Sequence, residues 1–510
     1  MLESGAVLEQ ERMGTKASSL ALPGAPRALA PGARKTTSFN DHVVQMMAGL
    51  VLAQVLQTAA GPLLTRLFSP AAFGEVTTIA TLAALLTIFY TGRYELVMVL
   101  SPSDEEALLI GRLALYLTGS WMILSVVAAG VLWGFSVTTP IGQGPLLFLL
   151  VLLAFLQAVT QIGRGWANRL RRYGPLATST LLQQGGNALC SLAAGLLAAP
   201  HGLITGRILG QGMAAGHIIW RFAGKRLPRA HSSLIDVAKK YWQFPTYNVP
   251  YSFLASCGRD FIILAMTFAQ EFVAVGFLGL ARSITLLPTT FVSGSLSQVF
   301  FREAATGDRE TVQRLARKLL FNMVTGFVPA FVVLAVFGPD LFQWAFGPGW
   351  RPAGEYAAIL AVPGALSAVC SWPERLYEIA ARQRASLTIQ VCFDTTTALT
   401  VSFFLWKGWP TFAAVAAYAC VNSAYHATFL TFAWRAAGFS SAGLLQAGGR
   451  AVAVGAAALA VCLALRLLPI APLASAVAAA ALAVGHIARV AWAMKRSASR
   501  WEAHSDHQTE

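Results

Sequence analysis

The stretch PLLFLLVLLAFLQAVTQIGRGWANRLRRY, residues 145–173, decides the fold. Its first nineteen residues carry no charge, and arginine then fills four of the next nine positions, at Arg164, Arg169, Arg171 and Arg172. At 1.5 Å of rise per helical residue, such a run covers roughly the 30 Å thickness of bilayer hydrocarbon. An apolar run closed by clustered arginine reads as a membrane-spanning helix with its cytoplasmic end marked by retained cations.

Runs of the same kind recur on both sides, from Val43 nearly to the end of the chain. Spans are expected near 43–65, 76–100, 108–134, 145–163, 178–199, 202–222, 245–268, 272–301, 319–338, 355–371, 387–406, 410–432, 446–465 and 471–493. The composition agrees, with 56% hydrophobic and 12% charged residues among 510 and a mean hydropathy of +0.58. A soluble domain carries about twice that charged fraction. The fold class is therefore all-α integral membrane, with about fourteen transmembrane helices.

A net charge of +15 raises the question of nucleic acid, but recognition of that kind needs the cations gathered on one surface. Here they occupy short gaps. With the N-terminus inside, the inner segments hold the arginines above and then Arg221, Lys225, Arg226, Arg229, Lys239 and Lys240 after the sixth span. They also hold Arg302, Arg309, Arg314, Arg317 and Lys318, then Arg375, Arg382 and Arg384, and last Lys495, Arg496 and Arg500. The outer loops hold only Arg66, Arg351, Lys407 and Arg466. This partition predicts both termini in the cytoplasm.

The first 42 residues, rich in Ala, Pro and Gly, read as a disordered cytoplasmic tail, with Met13 as an alternative start. The basic gap 223–244 reads as a linker between two six-helix lobes, 43–222 and 245–432, followed by two further helices over 433–493 and a tail over 494–510. The outer gap Asp340–Tyr356, with Trp344 and Trp350, is expected to lie along the interface as an aromatic anchor. All six cysteines fall inside apolar segments without metal-ligand spacing and read as packing thiols. A faint repeat places RLFSPAAFGEV after the first span and MTFAQEFVAVGFLGLAR after the seventh, about two hundred residues apart.

Several strings in order resemble one family: RLFSPAAFGEV at 66–76, GRYELVMVLSPSDEEA at 92–107, WANRLRRY at 166–173, YWQFPTYNVP at 241–250 and LARSITLLPTTFVSGSLSQVFFREAA at 280–305. They are similar to the polysaccharide flippases, exporters of O-antigen and exopolysaccharide within the multidrug/oligosaccharidyl-lipid/polysaccharide superfamily. The resemblance covers about 43–310 and is carried by hydropathy alone beyond. It implies two six-helix lobes around a central cavity plus two C-terminal helices. It also implies a cargo of undecaprenyl-pyrophosphate-linked oligosaccharide, moved from the cytoplasmic to the outer leaflet of a bacterial inner membrane. A polysaccharide polymerase and chain-length machinery would be its partners.

An ionised side chain at mid-bilayer costs about 2.5–3.5 kcal/mol on insertion scales, so each one needs a task or a partner. Arg259, Asp260 and Arg282 fall near the middle of the seventh and eighth spans, Arg93 and Glu95 in the second, Arg207 in the sixth and Asp394 in the eleventh. Arginine offers a charged, bidentate fork suited to pyrophosphate, which makes Arg259, Arg282, Arg93 and Arg207 the candidate substrate contacts. For Arg259 and Arg282 a structural pairing with Asp260 is the competing reading. Asp260, Glu95 and Asp394 are candidate carriers of a coupling ion. Pro245 and Pro250 open the seventh span and are the candidate hinge. Gln45, Gln54, Gln57, Gln183, Asn187, Asn422 and His426 read mainly as interhelical hydrogen-bonding groups.

No motif for covalent catalysis and no metal or cofactor site is expected, so the chain reads as a transporter rather than an enzyme. A drug exporter or a peptidoglycan-precursor flippase of the same superfamily remains the near alternative. A membrane polymerase or ligase is the distant one.

Overall fold

The computed structural model describes residues 39–506 apart from 138, 143, 223–232, 291–299, 301–307, 374–375, 381 and 470. Most of the N-terminal tail, the centre of the basic linker and the loop after the eighth span lie outside the described residues. So do Lys225, Arg226, Arg229, Arg302 and Arg375.

Helix α1 is Phe39–Leu67, α2 Pro70–Thr91, α3 Tyr94–Leu100, α4 Asp104–Gly134, α5 Pro145–Arg169, α6 Tyr173–Leu196 and α7 Gly202–Phe222. The short α8, Leu234–Lys240, leads through a π-helical turn at Phe244–Asn248 into α9, Val249–Phe268, and α10, Phe272–Thr285. Then come α11 Arg309–Phe346, α12 Arg351–Ile359, α13 Ala361–Cys370, α14 Leu376–Ile379, α15 Gln383–Trp406, α16 Thr411–Ala436, α17 Ser441–Leu467 and α18 Pro472–Asp506. Among the described residues each of the fourteen expected spans meets helix, the eighth over Phe272–Thr285, its end lying outside the described residues.

Local chemistry starts and stops these helices. Ser69 accepts from the Ala72 amide and Pro70 opens α2, while Ser103 accepts from the Glu106 amide ahead of three acidic residues that complement the α4 dipole. Asp308 accepts from the Thr311 amide at 3.0 Å, which holds its carboxyl below the usual range. The second span is broken: Gly92 and Arg93 both adopt left-handed backbone, at φ 54° and 61°, and separate α2 from α3.

Seven helices are long and apolar enough to cross a bilayer, and an eighth span is the pair 348–359 and 361–370, bent by 50°. The remaining six spans, α1, α6, α7, α9, α10 and α16, fall short of that test among the described residues, and every one of them lines a cavity described below. Helix α10 is apolar but only 14 residues long, while the other five carry polar residues on the faces that line the cavities. Outward, Leu100, Leu197 and Leu467 are almost wholly exposed, as side chains facing lipid would be.

Helices before the basic gap pack chiefly on one another, through α6–α7, α1–α6, α2–α5, α5–α7 and α4–α5. Those after it do so through α11–α17, α11–α12, α11–α18, α15–α16 and α9–α15. The largest junction between the two sets is α2 against α10. There a Cβ on Gly74 would sit 1.8 Å from the Phe272 carbonyl oxygen, and one on Gly276 2.0 Å from that of Pro70. Gly74 and Gly276, like Pro70 and Phe272, are 202 residues apart, so the two copies of the faint repeat cross at their equivalent glycines. Only glycine allows backbones this close. Thr78 and Thr267 share a buried hydrogen bond of 2.9 Å nearby, linking α2 to α9.

Three expectations are corrected. Trp350 is not an interfacial anchor: it is 2% exposed, donates Nε1–H to the Thr65 carbonyl at 3.0 Å and packs edge-on against Phe73 and Phe277. Of the two tryptophans in that gap, Trp344 is the exposed one. The indole needs one acceptor, and the end of α1 supplies it inside the bundle. Cys392 and Cys420 lie on exposed helix faces, although Cys370 and Cys462 are buried as packing thiols. Arg164 belongs to no loop, because α5 continues to Arg169 and Arg164 bonds Ser179, Thr180 and Gln183 of α6.

Candidate functional site

The pivotal element is α9. Its backbone leaves helical geometry at Asp260, with φ −107° and ψ 15°. Pro245 lies in the π-helical turn and Pro250 in the first turn of α9, where a missing amide hydrogen costs little, so the break inside the span falls at Asp260 and not at either proline.

At this break the Asp260 carboxylate takes Arg282 Nη1 at 3.2 Å through one oxygen and Arg259 Nε at 3.5 Å through the other. Arg282 Nη2 also donates to the Arg259 carbonyl at 3.4 Å. The Arg282 side chain is only 14% exposed, whereas that of Arg259 is 69% exposed and also reaches Ser256. Three of the sequence candidates therefore form one cluster with a surplus positive charge.

That cluster separates two polar cavities. The first, of about 530 Å³, is walled by α1, α2, α6, α7, α9 and α10, and presents Gln54, Gln57, Asn187, Arg207, Asp260 and Arg282. The second, of about 420 Å³, is walled chiefly by α9, α10, α13, α15 and α16, and presents Arg259, Arg282, Gln390, Asp394, Asn422 and His426. Arg282 lines both. Asp394 accepts at each carboxylate oxygen from Gln390 Nε2 at 2.9 Å, and Tyr425 donates to the Gln390 carbonyl oxygen at 2.7 Å. Gly258 leaves the room that Asp394 fills, since a Cβ there would be 2.5 Å from Oδ2.

Arg93 and Glu95 line neither cavity. The left-handed break turns Arg93 so that its Nη1 meets Glu95 at 3.3 Å, a contact that i and i+2 residues of an intact helix do not make. Arg93 Nε donates to Ser252 on α9 at 2.9 Å, across 159 residues of sequence. Glu95 is 4% exposed and also accepts from Gln161 at 2.8 Å, while its Oε2 is buried with no hydrogen-bond partner among the described residues.

Sequence reasoning did not single out Ser252, Gln161 or Gln390, because a neutral residue in an apolar run is cheap and its partner is not visible along the chain. Nor did it find the chain Arg164–Gln183–Gln211–Thr160, with a 2.7 Å bond from Arg164 to Gln183, one of 2.6 Å from Gln183 to Gln211 and one of 2.8 Å from Gln211 to Thr160. Among the described residues no group of His, Cys, Asp or Glu is arranged to hold a metal ion.

Against known structures the chain is similar to "Lipid II flippase MurJ, inward closed conformation", with a TM-score of 0.68 at 9% identity over 89% of this chain and 99% of that one. A MOP superfamily transporter from Pyrococcus furiosus gives a TM-score of 0.48 at 15% identity over 80% of this chain and 96% of that one. At such identities the likeness is one of fold. No curated protein matches the chain. The family model described as "Polysaccharide biosynthesis protein" matches residues 63–355, more than half of the chain, and the chain belongs to that family.

Proposed function

We propose that the chain is a flippase for a polyprenyl-pyrophosphate-linked oligosaccharide, working by alternating access of two lobes, 43–222 and 245–432. The observation that carries this reading is the position of Arg282, a little-exposed guanidinium on the wall shared by two polar cavities. Arg207 stands in one cavity and Arg259 in the other. A pyrophosphate moving between leaflets needs cations at successive stations, and guanidinium remains charged at any working pH. The sugar hydroxyls need paired donors and acceptors, which Gln54, Gln57, Asn187 and Asn422 supply. The polyprenyl tail stays in lipid.

The break at Asp260 joins the cation cluster to the backbone hinge, so pyrophosphate competing for Arg282 would release Asp260 and alter α9 directly. Asp394, tied only to an amide, is the better ion carrier of the two cavity carboxylates, because Asp260 is already neutralised by arginine. Arg93 would hold the lobes together through Ser252 rather than contact cargo, with Glu95 orienting it. In this reading the protein lies in a bacterial inner membrane, moves cargo to the outer leaflet and keeps both termini in the cytoplasm.

The test is transfer of labelled lipid-linked oligosaccharide across proteoliposomes. Arg282→Ala, reconstituted at wild-type levels, should lose at least about tenfold of the rate, the value of one charge-assisted contact. Arg282→Lys should recover part of it, keeping the charge and losing the fork. Full transfer by Arg282→Ala would overturn the reading.

A further inference from the structure

Away from both cavities, three helices bring cations together without a carboxylate. On α11, two guanidinium groups stand over the Phe321 ring, Arg317 at 5.4 Å and Arg450 of α17 at 5.6 Å from its centroid. Arg450 Nε also donates to Thr325 Oγ1 at 2.7 Å, one turn along the same face. His486 of α18 approaches the Thr325 carbonyl through Nε2 at 2.9 Å, and its Nδ1 receives Arg489 Nη2 at 3.4 Å. A carbonyl can only accept, so Nε2 donates and Nδ1 is left to hold Arg489. Among the described residues no ion pair reaches Arg317, Arg450 or Arg489, and all three are exposed.

The sequence places this cluster at one depth. The uncharged run of α11 begins after Lys318, that of α17 begins after Arg450, and that of α18 ends before His486. Three helices thus agree on where hydrocarbon gives way to headgroups. Neither cavity includes these residues. The apolar windows of α17 and α18 are only 6% and 22% buried within the protein, so the bilayer itself covers this face.

We propose that Arg317, Arg450 and Arg489 form a binding site for the phosphate of an anionic bilayer phospholipid, with its acyl chains laid against α17 and α18. Three exposed guanidinium forks with no ion pair among the described residues suit an external anion, and a phosphodiester at headgroup level is the anion a bilayer supplies. Thr325 and His486 are positioning residues, holding Arg450 and Arg489 on the two sides of one helical turn. The site is independent of the transported cargo.

The full chain, purified in detergent, is titrated with phosphatidylglycerol, phosphatidylcholine, a polyprenyl phosphate or inorganic phosphate, and retained lipid is counted by native mass spectrometry beside the melting temperature. Phosphatidylglycerol should be retained and raise the melting temperature, and phosphatidylcholine should do neither. Arg450→Gln with Arg489→Gln should weaken retention by about tenfold or more. Arg450→Lys with Arg489→Lys, which keeps both charges should the glutamine variant fold poorly, should retain phosphatidylglycerol more weakly than wild type but above the phosphatidylcholine level. Equal retention of phosphatidylcholine, or undiminished phosphatidylglycerol binding in a folded glutamine variant, would overturn the proposal. So would retention of polyprenyl phosphate alone, or full competition by inorganic phosphate, each of which assigns the arginines to another ligand.

Discussion

The two cavities share Arg282 and differ in nearly everything else. The cavity on the N-terminal side sets Arg207 among amides and hydroxyls, with Asp260 on the shared wall as its carboxylate. On the C-terminal side, the second holds a carboxylate of its own, Asp394, oriented by Gln390 and facing Arg259, Asn422 and His426. The two chambers therefore offer different chemistry: one presents Arg207 among amides and hydroxyls, and the other presents a carboxylate held by an amide. The difference teaches that two helices can match where their backbones touch, at Gly74 and Gly276, while the polar linings on either side of them do not.

The strongest way to break this comparison is at the crossing point. Gly74→Val and Gly276→Val each force a side chain into a backbone carbonyl across the α2–α10 junction, so both should abolish recovery of monodisperse protein on size exclusion. If one variant tolerates valine and the other does not, the two copies are not equivalent there.

Next comes the shared wall. Asp260→Ala leaves the little-exposed Arg282 without its carboxylate, a change that should cost about 1–3 kcal/mol and show as a lowered melting temperature in detergent. Asp260→Ala with Arg282→Leu should regain much of that loss, which separates the structural share of the pair from its role in transfer.

The third effect distinguishes the chambers. Arg207→Gln should slow proteoliposome transfer about tenfold without shifting its response to an imposed ion gradient, whereas Asp394→Asn should remove that response. Identical phenotypes for the two variants would erase the division of labour.

The smallest effect belongs to Arg259. Its pairing with Asp260 at 3.5 Å is loose and its side chain largely exposed, so Arg259→Ala should change stability by at most about 1 kcal/mol while still reducing transfer. A large stability loss would mean that the exposed arginine holds the break in α9 together.

Hydropathy and charge along the chain marked the spans, each of which meets helix among the described residues, because the cost of burying a backbone or a charge in hydrocarbon is paid locally and leaves a mark on each run. The same cost pointed to Arg259, Asp260, Arg282, Arg207 and Asp394, which line a cavity, and to Arg93 and Glu95, which line neither. It misjudged Trp350, whose burial depends on a carbonyl 285 residues away, and it misplaced the break in α9, since proline at a helix start disturbs little.

What the sequence determined by itself was the set of spans, the family and the residues too expensive to be idle. The spans and the expensive residues follow from transfer free energies that sum along a one-dimensional chain, and the family from strings that resemble it in order. The tertiary structure alone decided which charges meet. Arg93 reaches Ser252 because two left-handed residues interrupt the second span, and Arg282 finds Asp260 because α10 returns against a kink in α9. Pairing energy falls steeply with distance and orientation, and neither is fixed until helices far apart in sequence have packed.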